Sequence, residues 1–215
     1  ARERQLKIDQ NGFDVAMGLQ RERAQQASQF GTDYNEQLKS DKETQFKGYT
    51  NHSFSATVVE LFNSDGQVKV LKEGEQGVVI LDNTPFYAES GGQSGDRGTI
   101  DCEVGQMQVN DTQKIGNAIG HYGKVIGSLA LNERVKAEID VERRNAIKQN
   151  HSATHLLHAA LRSVLGEHVG QKGSLVEADK FRFDFSHYEG VTTEQLQQAE
   201  RLVNLEIQKN HSLST

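Results

Sequence analysis

The sequence predicts an α+β fold: an N-terminal helix, then a small β-barrel-like module, then an α/β module. Three observations point there. Short β-branched and apolar runs punctuated by glycine fill residues 46–140. The apolar spacing then switches to that of one long helix at residues 141–165. Beyond it, Phe181, Phe183 and Phe185 alternate with charged residues, and a second helix opens at Thr192. The boundaries drawn on this basis are 1–45, 46–140 and 141–215.

Phe13, Met17, Ala24 and Ala27 recur at near-helical spacing, predicting a helix over residues 11–30 with a thin apolar stripe and Gly31 as its stop. Residues 32–48 read as a polar connector. Phe54, Ala56, Val58 and Leu61 mark a strand, and Asn63-Ser64-Asp65-Gly66 a turn before a strand restarts at residues 68–71. The run Gly77-Val78-Val79-Ile80-Leu81 reads as a strand buried on both faces. Further short strands are expected at residues 98–102, 107–109, 121–126 and 135–139. Many short strands with turns between them suit a small barrel or sandwich. With 20 glycines against one proline, tight turns fit better than disorder.

In the helix at residues 141–165, Ile147, Leu157, Leu161, Val164 and Leu165 supply the core face, and Gly166 ends it. A loop at residues 170–174 is expected to lead to a strand pair. Thr192 with Gln195 three residues on forms a capping box, and Leu196, Ala199, Val203 and Ile207 form the stripe of the last helix.

A chain that is 35% hydrophobic and 25% charged is expected to be soluble and globular. A net charge of −6 argues against broad non-specific nucleic-acid binding and leaves room for a local basic groove. The lone Cys102 forms no internal disulfide, which suits a reducing, cytoplasmic compartment, and it reads as a small buried or half-buried strand residue. Apolar runs are too short for a membrane span, so no membrane partner is expected. The chain starts on alanine without a signal peptide and ends on a polar stretch, from which a piece of a longer protein is expected.

Two stretches carry chemistry. In residues 150–158 (NHSATHLLH), His151 and His155 lie four apart, so on a helix their imidazoles share one face and can close on a metal, zinc being the usual occupant. The alternative is a helix that happens to be rich in histidine. Zinc takes about four ligands and this pair gives two; His158 is either a third or packs. Ser152 stands where a metalloprotease needs glutamate, which sets protease aside. In residues 84–98 (TPFYAESGGQSGDRG), Gly91 and Gly92 allow close approach of backbone to a ligand, Gln93 offers a two-sided amide and Thr84 a hydroxyl. A hairpin loop with demanding turn geometry is the alternative. Gly-Gly-Gln also occurs in release factors, but the flanking residues differ. Gln171 either faces the metal or is a solvated loop residue. Arg143, Arg144, Lys148, Lys172, Lys180 and Arg182 either hold phosphates or are ordinary surface charge.

Together, residues 84–98, 150–158, 171–176 (QKGSLV) and 182–186 (RFDFS) resemble the bacterial alanyl-tRNA synthetases, motif for motif and in order. Free-standing alanyl-editing proteins share the Gly-Gly-Gln and His-x-x-x-His motifs but lack the synthetase-like N-terminal helix. Threonyl-tRNA synthetases share only the His-x-x-x-His module.

The resemblance implies that residues 1–45 are the end of the tRNA-recognition region and that the rest is most of an editing domain, closing in the α/β module shared by threonyl- and alanyl-tRNA synthetases. It implies hydrolysis of the ester joining serine or glycine to tRNA(Ala), with the tRNA acceptor end as partner. A pocket built for alanine rejects neither serine nor glycine strongly, so a second site must remove the mistakes. By motif position, Thr84 is the partner for a serine hydroxyl and Gly91, Gly92 and Gln93 line the pocket. Gln171, Thr84 and Gln93 carry the catalytic assignment, and His151 and His155 are zinc ligands. The family's other ligands come from a Cys-x-x-x-His further downstream, so half a zinc site, weak or absent zinc binding and little activity are expected of this chain. ATP and magnesium belong to an aminoacylation domain outside it. The alternatives are a tRNA-binding module without catalysis and an unrelated zinc hydrolase.

Overall fold

The computed structural model describes Asp9, residues 11–13, 15–19 and 38–211. The chain divides into two compact units, Ala1–Lys39 and Ser40–Thr215. In the first, residues 11–13 and 15–19 are helical, with the Asp9 carboxylate accepting from the Gly12 amide at 2.9 Å as a start signal. Ala24, Ala27 and the stop at Gly31 lie outside the described residues.

The second unit is α+β. Its largest sheet runs β11-β7-β8-β9-β5-β2-β3, and an extra pairing of β11 with β2 closes it into a six-stranded barrel. These strands are β2 (Ser53–Asn63), β5 (Gln76–Leu81), β7 (Gly98–Asp101), β8 (Gly105–Ile115), β9 (Ala118–Gly127) and β11 (Arg134–Ile139), with β3 (Gly66–Val68) hairpinned onto β2. All neighbours are antiparallel. Closure removes the unpaired edges that an open sheet of this length would expose.

The alternating burial of β11 follows from one face looking inward. Val58, Leu61, Leu71, Val79, Leu81, Phe86, Ile100, Met107, Val125 and Leu129 fill the interior and are fully buried. Each such side chain contributes about 1.5–3 kcal/mol by burial. β5 is buried on both faces after its first residue, as its sequence suggests.

The polar connector does not stay free. Thr44 donates to the Leu81 carbonyl at 2.8 Å and accepts from the Ile119 amide at 3.1 Å. β1 (Gln45–Phe46) then pairs in parallel with β6 (Asn83–Thr84) in a separate two-stranded sheet, which ties the connector's last residues to the segment after β5. A further short pair joins β4 (Val70–Leu71) and β10 (Leu129–Ala130).

Helix α1 (Val141–Leu165) begins at Asp140, whose side chain caps the Arg143 amide, and ends at Gly166 with φ +116°. Its C-terminal half packs Leu157, Leu161 and Val164 against Phe183 and Phe185 of β13 (Phe181–Phe185) and against helix α2 (Thr193–Lys209). The capping box of Thr192 and Gln195 is formed as the sequence requires. The expected stripe of α2 is shifted: Leu196 and Ile207 are 53% exposed, whereas Ala199, Leu202 and Val203 pack on α1. Of the loop expected at residues 170–174, all but Gly170 lies in strand β12 (Gln171–Val176), antiparallel to β13.

Among the described residues, no helix is long and apolar enough to cross a membrane.

Candidate functional site

Residues 84–98 cross from the barrel wall to α1, where both motifs meet. Two arginines at the start of the helix hold that loop. Arg144 is buried; its Nε bonds the Asp96 carboxylate at 2.9 and 3.0 Å, and its terminal nitrogens reach the Gly48 and Pro85 carbonyls at 3.1 Å. Asp96 in turn accepts from the Tyr87 amide at 2.7 Å. Arg143 donates to the Gly95 carbonyl at 2.8 Å and to Ser94 Oγ at 3.3 Å. Burial, and then the neighbouring positive charge of Arg97, lower the Arg143 pKa. Neither arginine is ordinary surface charge, and Arg144 is too deep to meet a phosphate.

From the other side the loop is stitched to β12. The Gly92 carbonyl accepts from the Val176 amide at 2.7 Å, and the Ser94 amide donates to the Val176 carbonyl at 3.0 Å. Gly92 has φ +85°, and a Cβ there would stand 2.5 Å from both the carbonyl oxygen and Oγ of Ser174. Only glycine suits both the backbone and the space. Gly91, at φ +62°, faces open space.

This stitching delivers Gln93, 8% exposed, onto the helix, where its Oε1 lies 2.7 Å from His151 Nδ1. The rings of His151 and His155 stack with centroids 5.0 Å apart. Burial, and then the neighbouring His155, lower the His151 pKa, which favours the neutral imidazole a metal needs. Gln171, exposed at the head of β12, donates its amide to Ser174 Oγ at 3.1 Å, beside Gly92. Gly92, Gln93, His151, His155 and Gln171 are thus joined through direct contacts or through Ser174.

Thr84 is not among them. It is fully buried, with Oγ1 2.7 Å from His121 Nε2 and accepting from the Phe86 amide at 3.1 Å. His121 Nδ1 lies 2.8 Å from the Val79 carbonyl, an acceptor, so Nδ1 holds the hydrogen and the Thr84 hydroxyl donates to Nε2. Burial pushes the pKa of His121 down to about 4, keeping it neutral. One lone pair of Thr84 is left.

His158 packs: its ring centroid is 5.1 Å from that of Phe183 and its Nε2 is 3.3 Å from the Val169 carbonyl. An open groove of about 420 Å³ runs along α1 past His155, His158, Arg162 and Glu167. Cys102 bonds the Gly105 and Ser128 carbonyls in the barrel, far in sequence and role from the histidines. Among the described residues, no group of three or more His, Cys, Asp or Glu is placed to hold a metal. His151 and His155 together offer two imidazoles, half of the about four ligands a zinc ion takes.

From sequence, Arg144 stands between a phosphate contact and surface charge, and Asp96, Asn150 and Ser174 carry no role of their own. A signal for the first was present: Arg144 precedes His151 by seven residues, two helical turns, on the same stripe. Asn150 anchors α1 to the β12–β13 turn through the Glu177 and Ala178 carbonyls at 2.8 and 3.2 Å.

A closed barrel bound through a Gly-Gly-Gln loop to a His-x-x-x-His helix is the setting in which the comparisons fall. The model of the family "tRNA synthetases class II (A)" matches residues 1–143, and the chain belongs to that family. Over its whole length it is similar to alanine–tRNA ligases: 66% identical to that of Colwellia psychrerythraea, 60% to that of Idiomarina loihiensis and 59% to that of Pseudoalteromonas translucida. The chain covers 25% of each of these relatives, about a quarter of their length.

Proposed function

We propose that the chain is the editing part of an alanine–tRNA ligase, a hydrolytic module that cleaves the ester joining serine or glycine to the acceptor end of tRNA(Ala). The observation that carries this reading is the 2.7 Å contact of Gln93 with His151, which brings the two motifs together. In the same reading, residues 1–45 end a tRNA-recognition region, 46–140 form the barrel module, and 141–215 belong to the module type shared with threonyl-tRNA synthetases. ATP and magnesium serve an aminoacylation domain elsewhere in a longer, cytoplasmic protein.

Gln171 is the exposed side chain able to touch the ester and position water. Gly91 and Gly92 offer backbone to the aminoacyl end. Thr84 keeps one lone pair with which to accept from a serine hydroxyl, a hydrogen that alanine does not offer. His151 and His155 would hold a zinc ion, which when bound supplies Lewis acidity or orients the aminoacyl end.

The test is deacylation of seryl-tRNA(Ala) by the ligase that contains this chain. His151→Ala and Gln171→Ala should abolish it and leave alanylation intact. Undiminished deacylation in both variants would overturn the reading. The donor count favours a second reading for the 215-residue chain alone: it binds the acceptor end without hydrolysing the ester. The same assay on that chain separates the two, and the presence of hydrolysis that ignores tRNA would instead point to a small-molecule esterase.

A further inference from the structure

A carbonyl oxygen accepts hydrogen bonds and cannot donate them. With Gln93 Oε1 2.7 Å from His151 Nδ1, the hydrogen of the neutral imidazole must sit on Nδ1, and the lone pair is left on Nε2. Gln93 has little freedom to do otherwise. Its side chain is buried, and its own amide and carbonyl are tied to Ser90 at 3.1 and 3.2 Å. Its neighbours Gly92 and Ser94 are both bonded to Val176. Behind them, Arg143 grips Ser94 and Gly95 from the first turn of the same helix that bears His151. Donor and acceptor are therefore fixed to each other by two independent attachments of the loop.

We propose that Gln93 is a positioning residue that locks His151 in its Nδ1–H tautomer and so presents Nε2 as the nitrogen for a divalent metal ion. Metal-bound histidines commonly donate their second ring N–H to a protein acceptor, which sets ring orientation and raises ligand basicity. Gln93 supplies that acceptor from the barrel side, whereas among the described residues no acceptor is bonded to the ring of the exposed His155, which stacks on His151. The two ligands are thus unequal: one is preset, the other adjusts. The assignment also narrows the part played by Gln93. Its oxygen is engaged by His151, so it is not the group that receives a proton from water.

The inference rests on the proposed metal role of His151, but its test does not need hydrolysis or metal. Long-range ¹⁵N–¹H correlation spectra of the metal-free chain, taken where the imidazole is neutral, read the tautomer of each histidine. His151 should be a single Nδ1–H species. Gln93→Leu should convert it to a mixture of tautomers, and Gln93→Glu, which keeps an acceptor, should preserve the Nδ1–H form. An Nε2–H signal for His151 in the unaltered chain, readable whether or not the variants fold, overturns the proposal, as does an unchanged tautomer in a folded Gln93→Leu. Should the tautomer be as stated while His151→Ala leaves deacylation intact, the positioning stands and the editing assignment fails.

Discussion

Arg144 and Asp96 form a buried ion pair two helical turns before His151, and through it the loop that carries Gln93 is fastened to the helix that carries the histidines. Removing one member strands the other charge in the interior, which costs about 3–5 kcal/mol. Arg144→Met should therefore lower stability by about that amount in urea denaturation. Asp96→Asn added to Arg144→Met should recover part of the loss, because the charge is gone while the side-chain oxygen still accepts from the Tyr87 amide. A double variant no more stable than Arg144→Met would show that the lost hydrogen bonds to Gly48 and Pro85 matter more than the charge.

The paired glycines of the loop differ in kind. Gly91→Ala meets only the backbone penalty of positive φ, about 1–2 kcal/mol. Gly92→Ala adds a clash with the backbone and hydroxyl oxygens of Ser174, so it should cost more and push Gln93 away from His151. The check is a pair of unfolding curves with the His151 ring signals followed by NMR. Equal losses and unmoved ring signals would mean that the loop absorbs the methyl group.

Much of this was legible in the sequence because it is local. The strand β5, the capping box of α2 and the limits of α1 each rest on residues within one element. The closing of the barrel is not local: β2 and β11 pair across about eighty residues of sequence, and no periodicity records that. Nor does charge by itself reveal burial. In sequence Arg144 resembles its solvated neighbours; in the fold, carbonyls and a carboxylate from two distant segments meet it. Glycine and lysine beside Gln171 suit a loop better than a strand; pairing with β13 overrides that local preference. The stripe of α2 differs because α1 covers Ala199, Leu202 and Val203 and leaves Leu196 and Ile207 exposed.

His121 predicts an acid limb. Its ordinary pKa is 6.5, and burial brings it to about 4 in the folded chain, so between these values the unfolded state binds the extra proton. Stability is full above pH 6.5 and falls as pH drops toward about 4, by about 3 kcal/mol in total. His121→Gln removes the titrating ring. That variant should be less stable at neutral pH, since Thr84 and Val79 lose well-placed partners, yet lose less on acidification. Parallel pH profiles for the two proteins would assign the limb to another group.

Zinc retention tests how far the histidine pair goes unaided. A tightly held zinc takes about four ligands at about 2.0–2.3 Å. Here His151 and His155 offer two nitrogens, His158 is turned toward the Val169 carbonyl and Phe183, and Cys102 is occupied within the barrel. The 215-residue chain dialysed against metal-free buffer should keep well under one equivalent of zinc by elemental analysis. His151→Ala and His155→Ala should each lower whatever remains, because either change leaves a single donor on that face. Other histidines set the control: His168 and His187 already bond each other at 2.8 Å, so a weak metal load that survives His151→Ala belongs elsewhere on the surface. A full equivalent that survives dialysis and disappears in both variants would mean that further ligands close on this pair within the chain itself.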